Sequence, residues 1–201
     1  LPCRINLNEF ASGQATSNLS SEEIKIAKAL FELSGLQLSD IQSESNFEAF
    51  KAQLEATSNS ITDEMFKYWS TNQNLEIRFD IEHASNDARY LNIRIYNSKH
   101  RVTLPLKNRS KGFLWFFSFL VWFSKIQGDK NSKYILLLDE PGLSLHASAQ
   151  NDLLRFIDEK LAPDYQVIYT THSPFMIDSL KLNEVRTVYD TQNPTLGSVV
   201  S

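Results

Sequence analysis

The spacing of apolar residues changes twice along the chain and predicts three structural regions. In residues 11–72, apolar positions recur every three or four residues, which is typical of amphipathic helices. From Leu75 the period becomes two in "LEIRFDIEH", "RYLNIRIY" and "HRVTLPL", which predicts a meander of three strands. From Asn108 helical and strand-like runs alternate, as in a parallel sheet covered by helices. The pattern predicts an α/β fold with a mainly parallel sheet, a helical insertion and a small antiparallel meander.

The helical region carries its own start and stop signals. Ser20 and Glu23 have the spacing of a capping box, and Gly35 is a helix stop. A second helix, expected in two pieces, has an apolar face formed by Phe47, Phe50, Leu54, Ile61, Met65 and Trp69. We expect this region to project from the rest of the fold as an insertion.

Two later segments are apolar throughout. "GFLWFFSFLVWF", residues 112–123, is far shorter than the ~20 residues that cross a bilayer, so it predicts a helix buried on all sides. "YILLL", residues 134–138, suits a strand at the centre of a parallel sheet, where both faces are covered. The helix from Gly112 is predicted to pack beneath a sheet that contains the strands near 134–138 and 167–171.

Composition narrows the class of protein. With 201 residues, of which 42% are hydrophobic and 22% charged, the chain can bury one core, and we expect one domain with an insertion. A single cysteine, Cys3, excludes an internal disulfide, and no secretion signal is recognisable, so a cytoplasmic location without membrane contact is predicted.

The charge distribution bears on nucleic-acid binding. The net charge of −4 provides no general attraction for nucleic acid. One basic stretch is either a solvated strand edge and loop or a local phosphate contact: Lys99, His100, Arg101, Lys107, Arg109 and Lys111.

Two adjacent carboxylates, Asp139 and Glu140, follow the apolar run "YILLL". Ligands of parallel sheets bind just beyond the carboxyl ends of the strands, where this pair is expected. The two charges repel each other unless a cation or a proton relieves them. The pair is therefore either a capped strand end or a site for a magnesium nucleotide, with one carboxylate near the metal and the other near an attacking water.

The next predicted strand, residues 167–171, ends at His172. An amphipathic helix lies between the two strands, and a right-handed crossover places both strand ends on the same edge of the sheet. His172 is therefore expected near Asp139 and Glu140, where an imidazole can donate a hydrogen bond to a phosphate oxygen. The alternative is a surface histidine that begins a turn before Pro174.

A third candidate is the entrance to the apolar helix. Ser110 and Gly112 lie where a loop enters that helix, flanked by Arg109 and Lys111. Free backbone N–H groups and the positive end of the helix dipole favour anions at such a place. A simple serine N-cap is the alternative reading.

These three segments together resemble a known family. "LLLDEP" resembles the Walker B strand of ABC-type ATPases, "TTHSP" their switch histidine, and "RSKG" their signature motif. The longer strings "RSKGFLWFFSF", "LLLDEPGLSLHASAQNDLL" and "YTTHSPFMID" are similar to the ATPase part of the overcoming-lysogenisation-defect (OLD) family of ATP-dependent nucleases. The resemblance extends over about residues 105–201.

The resemblance implies a domain organisation. Residues 1–10 and 73–201 would form the ATPase lobe, and residues 11–72 the helical insertion. Within the lobe the implied parts are the meander 75–106, the signature helix 112–126, the Walker B strand 134–140 and the switch strand 167–172.

The resemblance also implies roles for individual residues, with ATP and Mg²⁺ as cofactors. Asp139 would hold the magnesium through water, Glu140 would polarise the attacking water, and His172 would contact the γ-phosphate. The signature residues would reach a nucleotide held by the partner subunit of a head-to-tail homodimer: Arg109, Ser110, Lys111 and Gly112. His146 lies where many ABC proteins have an aspartate, and it is counted with the nucleotide-binding residues.

One expected motif has no match in these 201 residues. The sequence G-x-x-x-x-G-K-S/T does not occur, although the OLD family carries this phosphate loop upstream of a segment similar to "LPCRINL". "PTLGSVVS" resembles the place where that family continues into a TOPRIM nuclease domain. The expectation is the C-terminal lobe of an ATPase, with ATP and a phosphate-loop lobe as partners and DNA as a partner of the full-length protein.

Two other readings stay open at this stage. The chain could be an interaction or dimerisation module that hydrolyses nothing by itself. It could also be a lobe of a DNA-repair ATPase in which residues 11–72 are the stub of a coiled coil, although the sequence has no sustained heptads.

Overall fold

A computed structural model describes residues 3–12, 19–35, 47–84, 88–128, 134–192, 195 and 197–201. The helices are α1 (Leu7–Ala11), α2 (Ser21–Ser34), α3 (Phe47–Tyr68), α4 (Lys111–Gly128) and α5 (Ala147–Phe156), which continues as a π-helical turn (Ile157–Leu161). The strands are β1 (Arg4–Asn6), β2 (Leu75–His83), β3 (Arg89–Asn97), β4 (Val102–Pro105), β5 (Ile135–Leu138), β6 (Gln166–Tyr169), β7 (Val188–Asp190) and β8 (Ser198–Val200). Short 3₁₀ turns cover Leu106–Asn108, Pro174–Met176 and Leu182–Glu184.

Local signals set the ends of α2 as the sequence predicts. The Ser20 hydroxyl accepts the Glu23 N–H at 3.3 Å, and the Glu23 carboxylate accepts the Ser20 N–H at 3.0 Å, so the capping box is confirmed. Gly35 ends the helix with φ at +63°, in the left-handed region that glycine adopts without steric cost.

α3 is one helix of 22 residues, so the expected division into two pieces is wrong. No glycine or proline occurs between Phe47 and Tyr68 to break it. The hydroxyls of Thr57 and Thr62, in its polar middle section, donate to the carbonyls four residues earlier, Gln53 at 2.8 Å and Ser58 at 2.7 Å. These hydroxyls bond along the helix instead of competing with it.

The meander is confirmed, because β2, β3 and β4 pair antiparallel in chain order, with Ile77 opposite Ile95 and Ile95 opposite Leu104. β1, which the periodicity did not predict, pairs antiparallel with the other end of β3. Three residues are too few to show a period of two. The inward face of this four-stranded sheet forms part of the core.

The helices of residues 11–72 pack into that core, so the expectation that they project from the fold is wrong. Buried side chains of α2 and α3 belong to the same hydrophobic cluster as those of α4 and the meander. The Thr62 hydroxyl accepts the Ile77 N–H of β2 at 2.9 Å, and Asp152 of α5 accepts both the N–H and the hydroxyl of Ser70. The division into an ATPase lobe and an insertion remains a prediction.

α4 is largely buried, but it is not buried on all sides as predicted. Six of its side chains are at most 2% exposed: Phe113, Phe116, Phe117, Leu120, Val121 and Phe123. Trp122, at 40%, is the most exposed apolar side chain among those that the structure describes on this helix. Within the described ranges, no helix combines the length and the apolarity that crossing a bilayer requires.

The parallel sheet is smaller than predicted. In the described part of the chain, the parallel ladder consists of β5 and β6, with Leu136 opposite Val167, and the larger sheet is antiparallel. The predicted α/β class is therefore confirmed, but the prediction of a mainly parallel sheet is wrong.

β5 is buried on one face only. Leu136 is 5% exposed, whereas Ile135 and Leu137 are 62% and 73% exposed, and Ile168 beside Leu137 on β6 is 53% exposed. We call Ile135, Leu137 and Ile168 the open sheet face. The prediction that "YILLL" is covered on both sides is therefore wrong for this chain, because no described element packs on the open sheet face.

Candidate functional site

The site lies at the carboxyl ends of β5 and β6, where their polar residues meet. Asp139 and Glu140 follow β5, and Thr170 follows β6. The ladder continues past the strands through the Thr170 N–H, which donates to the Leu138 carbonyl at 3.0 Å. The Thr170 hydroxyl donates to Asp139 Oδ1 at 2.6 Å and accepts the Glu140 N–H at 3.0 Å. Both carboxylate residues are thus tied to the end of the neighbouring strand.

His172 contacts Glu140, as the crossover rule predicts. Its Nε2 lies 3.2 Å from Glu140 Oε1, and its backbone N–H donates to Oε2 at 3.4 Å. The Glu140 side chain is 24% exposed and the His172 side chain 95%. The backbone N–H of His172 therefore holds the carboxylate and the imidazole lies beside it, while most of the imidazole surface faces solvent.

Glu140 has an unusual backbone conformation. Its φ of +47° lies in the left-handed region, which costs a non-glycine residue about 1–3 kcal/mol. The Thr170 hydroxyl binds its N–H, and its carbonyl accepts the Leu143 N–H at 3.1 Å. These bonds at both ends of the residue maintain the conformation, and sharp backbone geometry of this kind is common at functional sites.

The turn after β5 and the loop after β6 are joined by Gln150 on α5, which is 7% exposed. Its side-chain amide donates to the carbonyls of Gly142, at 2.9 Å, and Leu145, at 3.2 Å. Its carbonyl oxygen accepts a hydrogen bond from the Ser173 hydroxyl, adjacent to His172. One buried amide therefore fixes the two segments that carry Glu140 and His172.

Tyr169 anchors the same loop from the end of β6. Its hydroxyl donates to the Met176 carbonyl at 2.6 Å, and Met176 is fully buried. Burial raises the pKa of the Tyr169 phenol above its ordinary value, with the carboxylate of Asp158 adding to the effect. The phenol thus remains a neutral donor to the loop.

Thr170, Gln150 and Ser173 are site residues that sequence reasoning missed. The hydroxyl-rich string "TTHS" at the end of an apolar strand is a signal that points to Thr170 and Ser173. No comparable sequence signal points to Gln150. Its side-chain amide donates to backbone carbonyls, and every residue has a backbone carbonyl.

A second group of predicted residues lies at the start of α4. The Ser110 hydroxyl accepts the Phe113 N–H at 3.3 Å, so it caps the helix. Ser110 and Lys111 are exposed, while the Arg109 guanidinium lies over the Phe113 ring, 5.4 Å from its centre. The Arg109 Nε is buried without a hydrogen-bond partner.

Gly112 is buried against the turn that follows β5. A Cβ atom at this position would lie 2.7 Å from the Ser144 carbonyl oxygen, closer than real Cβ atoms approach. The structure explains this glycine by the close approach of the Ser144 backbone, which differs from the ligand contact that the sequence predicts.

His146 begins α5. Its Nδ1 accepts the Ala149 N–H at 3.3 Å and lies 3.1 Å from the Ser148 hydroxyl, and its ring is 6.4 Å from that of Trp69. These contacts make His146 the N-cap of α5, and its predicted part in nucleotide binding remains a prediction.

The two groups of residues are separate within one subunit. In the part of the chain that the structure describes, no hydrogen bond or ion pair joins residues 109–112 to Asp139, Glu140 or His172. They are connected through the turn at residues 141–145, on which Gly112 packs.

The carboxylate end of the site fits a hydrated magnesium ion. Mg²⁺ binds hard oxygen ligands and keeps several waters, so a single exposed carboxylate such as Asp139 suffices as its protein contact beside a nucleotide. Among the described residues, no cluster of three or more histidine, cysteine, aspartate or glutamate side chains forms a closed metal site. The donor set thus fits Mg²⁺ held through water.

A family model assigns this chain to a class of ATPase domains. The chain belongs to the AAA ATPase domain family, whose model matches residues 6–177. It is 31% identical over 140 residues to an uncharacterized protein of Methanocaldococcus jannaschii, MJECL43, in an alignment that covers 64% of this chain and 34% of that protein. The chain thus spans about a third of the length of this relative.

A solved structure of an Smc head has a similar fold. An Smc head bound to the C-winged helix domain of ScpA has a TM-score of 0.54 and 16% identity, over 96% of this chain and 52% of that chain. An SMC ATPase studied for its ATP-driven dimerization and DNA-stimulated activation has a TM-score of 0.48 and 16% identity, over 77% and 87% of the two chains. At 16% identity the likeness to the ScpA-bound Smc head concerns the fold alone.

Proposed function

We propose that this chain carries the hydrolytic half of an ABC-type ATPase site, and that a lobe with a phosphate loop completes it. The observation that carries the proposal is the contact of His172 with Glu140, at 3.2 Å, across the ends of two adjacent parallel strands. A catalytic base needs a fixed position within reach of the proton that it removes. The backbone N–H of His172 and the neighbouring imidazole provide that position for Glu140.

Each residue at the strand ends has a distinct proposed role in converting ATP and water into ADP and phosphate. Asp139 holds Mg²⁺ through water, and the ion neutralises charge on the phosphate groups when it is bound. Glu140 orients the attacking water and accepts its proton. The backbone N–H of His172 keeps Glu140 in place, and its exposed imidazole offers an N–H to a γ-phosphate oxygen.

The start of α4 is proposed to act on the nucleotide of a second subunit in a head-to-tail homodimer. Ser110 and Lys111 are exposed at a helix N-terminus, where backbone N–H groups and the helix dipole favour anions. Arg109 and Gly112 support this end of the helix by packing on Phe113 and Ser144. The separation of this group from Glu140 within one subunit supports action across the dimer. His146, at the start of α5, is proposed to lie at the same interface.

The open sheet face supports the existence of a complementary lobe. Parallel strands are normally covered on both faces, yet Ile135, Leu137 and Ile168 are all more than half exposed. The chain also matches only 52% of the Smc head chain. We propose that a lobe bearing the phosphate loop packs on this face and cradles the phosphates of ATP.

The biological role that we propose is that of the OLD family. ATP binding and hydrolysis would drive a DNA-directed nuclease, with a role in phage defence. This proposed role is supported by the sequence segments around Ser110, Glu140 and His172, which are similar to those of that family.

A second candidate function is an interaction module that dimerises or docks without hydrolysing ATP. The open sheet face favours this candidate as well, because an exposed apolar surface marks a binding site for a partner. The third reading, a DNA-repair lobe with a coiled-coil stub, has no such support, because α2 and α3 bury their apolar faces in the core.

ATP turnover distinguishes the two candidates. We expect the chain alone to bind MgATP weakly and to show no turnover, and the chain combined with the phosphate-loop lobe to hydrolyse ATP. In that assembly Glu140→Gln should lower turnover by about 10²-fold or more while ATP binding persists, since the base loses its charge but keeps its size. Glu159→Gln is the matched control, because Glu159 is exposed on the π-helical turn.

The results that contradict the proposal are equally specific. An assembly that forms and binds ATP but releases no phosphate would favour the interaction module. Tight binding of MgATP by the chain alone would show a phosphate-binding site that the sequence does not reveal.

A further inference from the structure

We propose that Thr170 is a positioning residue whose single hydroxyl aligns the metal-binding carboxylate and the catalytic base with each other. This proposal rests on the proposed function and adds to it a residue that sequence reasoning did not identify. Its basis is the pair of hydrogen bonds through which the Thr170 hydroxyl donates to Asp139 Oδ1, at 2.6 Å, and accepts the Glu140 N–H, at 3.0 Å.

The chemistry of a hydroxyl matches this double contact. A hydroxyl has one donor hydrogen and acceptor lone pairs, and here the hydrogen goes to Asp139 while a lone pair receives the Glu140 N–H. The bond occupies Oδ1 of Asp139, and no described residue donates to Oδ2, which leaves that oxygen for the waters of a magnesium ion.

The second hydrogen bond, from the Glu140 N–H to the Thr170 hydroxyl, influences the direction of the Glu140 side chain. Residue 140 has φ at +47°, a conformation that few non-glycine residues adopt, and the Thr170 hydroxyl binds the N–H at the start of that turn. Without this acceptor the backbone is free to relax toward negative φ. The carboxylate would then move away from the His172 backbone N–H that holds it and from the neighbouring imidazole.

Thr170 is itself well anchored for this task. Its N–H donates to the Leu138 carbonyl at 3.0 Å, so its backbone continues the parallel ladder of β5 and β6. Its two hydrogen bonds, to Asp139 and from the Glu140 N–H, hold the hydroxyl in one direction. A rigid hydroxyl between two acidic residues therefore couples the position of the metal to the position of the base.

The test uses Thr170→Val, which keeps the shape and the β-branch but removes the hydroxyl, and Thr170→Ser, which restores the hydroxyl. The matched control is Thr103→Val, at a half-buried strand position on β4 in the antiparallel sheet. Two measurements on the chain alone do not depend on ATP turnover. They are the amide hydrogen exchange of Glu140 and the paramagnetic broadening of signals around Asp139 by Mn²⁺, used as a probe for Mg²⁺.

We expect Thr170→Val to accelerate exchange of the Glu140 amide by about tenfold, the scale of one lost hydrogen bond. The Mn²⁺ concentration that gives half of the broadening should rise by about the same factor, because Asp139 is no longer held in one orientation. Thr170→Ser should stay within about twofold of the wild type in both measurements, and Thr103→Val should change neither.

The proposal is overturned if Thr170→Val leaves the Mn²⁺ response unchanged, even where amide exchange accelerates, because the hydroxyl would then have a structural role only. It is overturned as well if the wild-type chain shows no Mn²⁺ response at Asp139 or if Thr170→Ser behaves like Thr170→Val. Failure of the proposed function is a separate result, in which the assembled protein releases no phosphate whatever the outcome of these measurements on the chain alone.

Discussion

Gly112 packs directly on the backbone of Ser144, with room for a hydrogen but not for a methyl group between them. A Cβ atom on Gly112 would be 2.7 Å from the Ser144 carbonyl oxygen and 3.1 Å from Leu145 Cδ2. Through this contact the N-terminus of α4 and the turn after β5 form one unit. The two groups of site residues therefore depend on each other for their positions.

Gly112→Ala is expected to lower the free energy of unfolding by about 1–3 kcal/mol, because the added methyl group forces the two backbones apart. Urea unfolding of the chain measures this change. Lys111→Ala, at the exposed neighbouring position, is the control and should stay within about 0.5 kcal/mol of the wild type. Equal stability of Gly112→Ala and the wild type would show that the turn at Ser144 yields without cost.

Gln150→Leu is expected to lower the free energy of unfolding by about 2–3 kcal/mol. Leucine has a similar size but leaves the carbonyls of Gly142 and Leu145 and the hydroxyl of Ser173 without the partner they have now. Chemical denaturation is again the measurement. Gln166→Leu, at an exposed position on β6, serves as the control, and a loss of similar size there would argue against the buried network as the cause.

Mixing two inactive variants tests whether Ser110 acts across a dimer, in the assembly with the phosphate-loop lobe. Ser110→Arg places bulk at the helix N-terminus, and Glu140→Gln removes the base. If Ser110 acts on the nucleotide of the partner subunit, a heterodimer of the two variants has both lesions in one composite site and an intact second site. It should regain up to half of the wild-type phosphate release.

Two controls make that experiment decisive. Ser110→Ala removes the helix cap without adding bulk, at a cost of about 1 kcal/mol in stability, and should retain turnover if bulk is what blocks the site. If the mixture stays inactive, mixtures of wild type with each variant show whether the two sites are obligatorily coupled or whether Ser110 does not act in trans.

Stability should fall with rising pH above about 10, the ordinary pKa of tyrosine. Burial raises the pKa of Tyr169, and the hydrogen bond to Asp158 raises the pKa of Lys181. Between the unfolded and the folded pKa the unfolded chain has already lost the proton that the folded chain retains, so unfolding becomes more favourable as pH rises. The stabilisation from these two groups is complete below the pKa that each has in the unfolded chain. It is lost as the pH rises through the pKa that each has in the folded chain.

Tyr169→Phe isolates the tyrosine part of this effect. The variant should lose about 1 kcal/mol at neutral pH, because the Met176 carbonyl loses its donor, and should show a shallower decline of stability above about pH 10. Tyr189→Phe, at a tyrosine that is 50% exposed, is the control. Thermal unfolding across this pH range gives the measurement, and identical slopes for wild type and Tyr169→Phe would contradict it.

The features that the sequence predicts correctly are those that depend on local rules. The capping box at Ser20 and the helix stop at Gly35 depend on neighbouring residues, and the period of two marks β2 from its first residue to its last. The apposition of His172 and Glu140 follows from one topological rule, the right-handed crossover between parallel strands. These features could be predicted because each rests on short-range chemistry or on chain handedness.

Long-range contacts decided the rest. The pairing of β1 with β3, the one-sided burial of β5 and the packing of α2 and α3 into the core depend on partners far away in the chain. Gly112 is required by the backbone of Ser144, and Thr170 joins residues 139 and 140 across a sheet ladder. The periodicity of the sequence indicates which face of a helix or strand is apolar, but it contains no information on which distant backbone will pack against that face. That choice is made only when the whole chain packs, because the energy of such a contact exists only in the folded state.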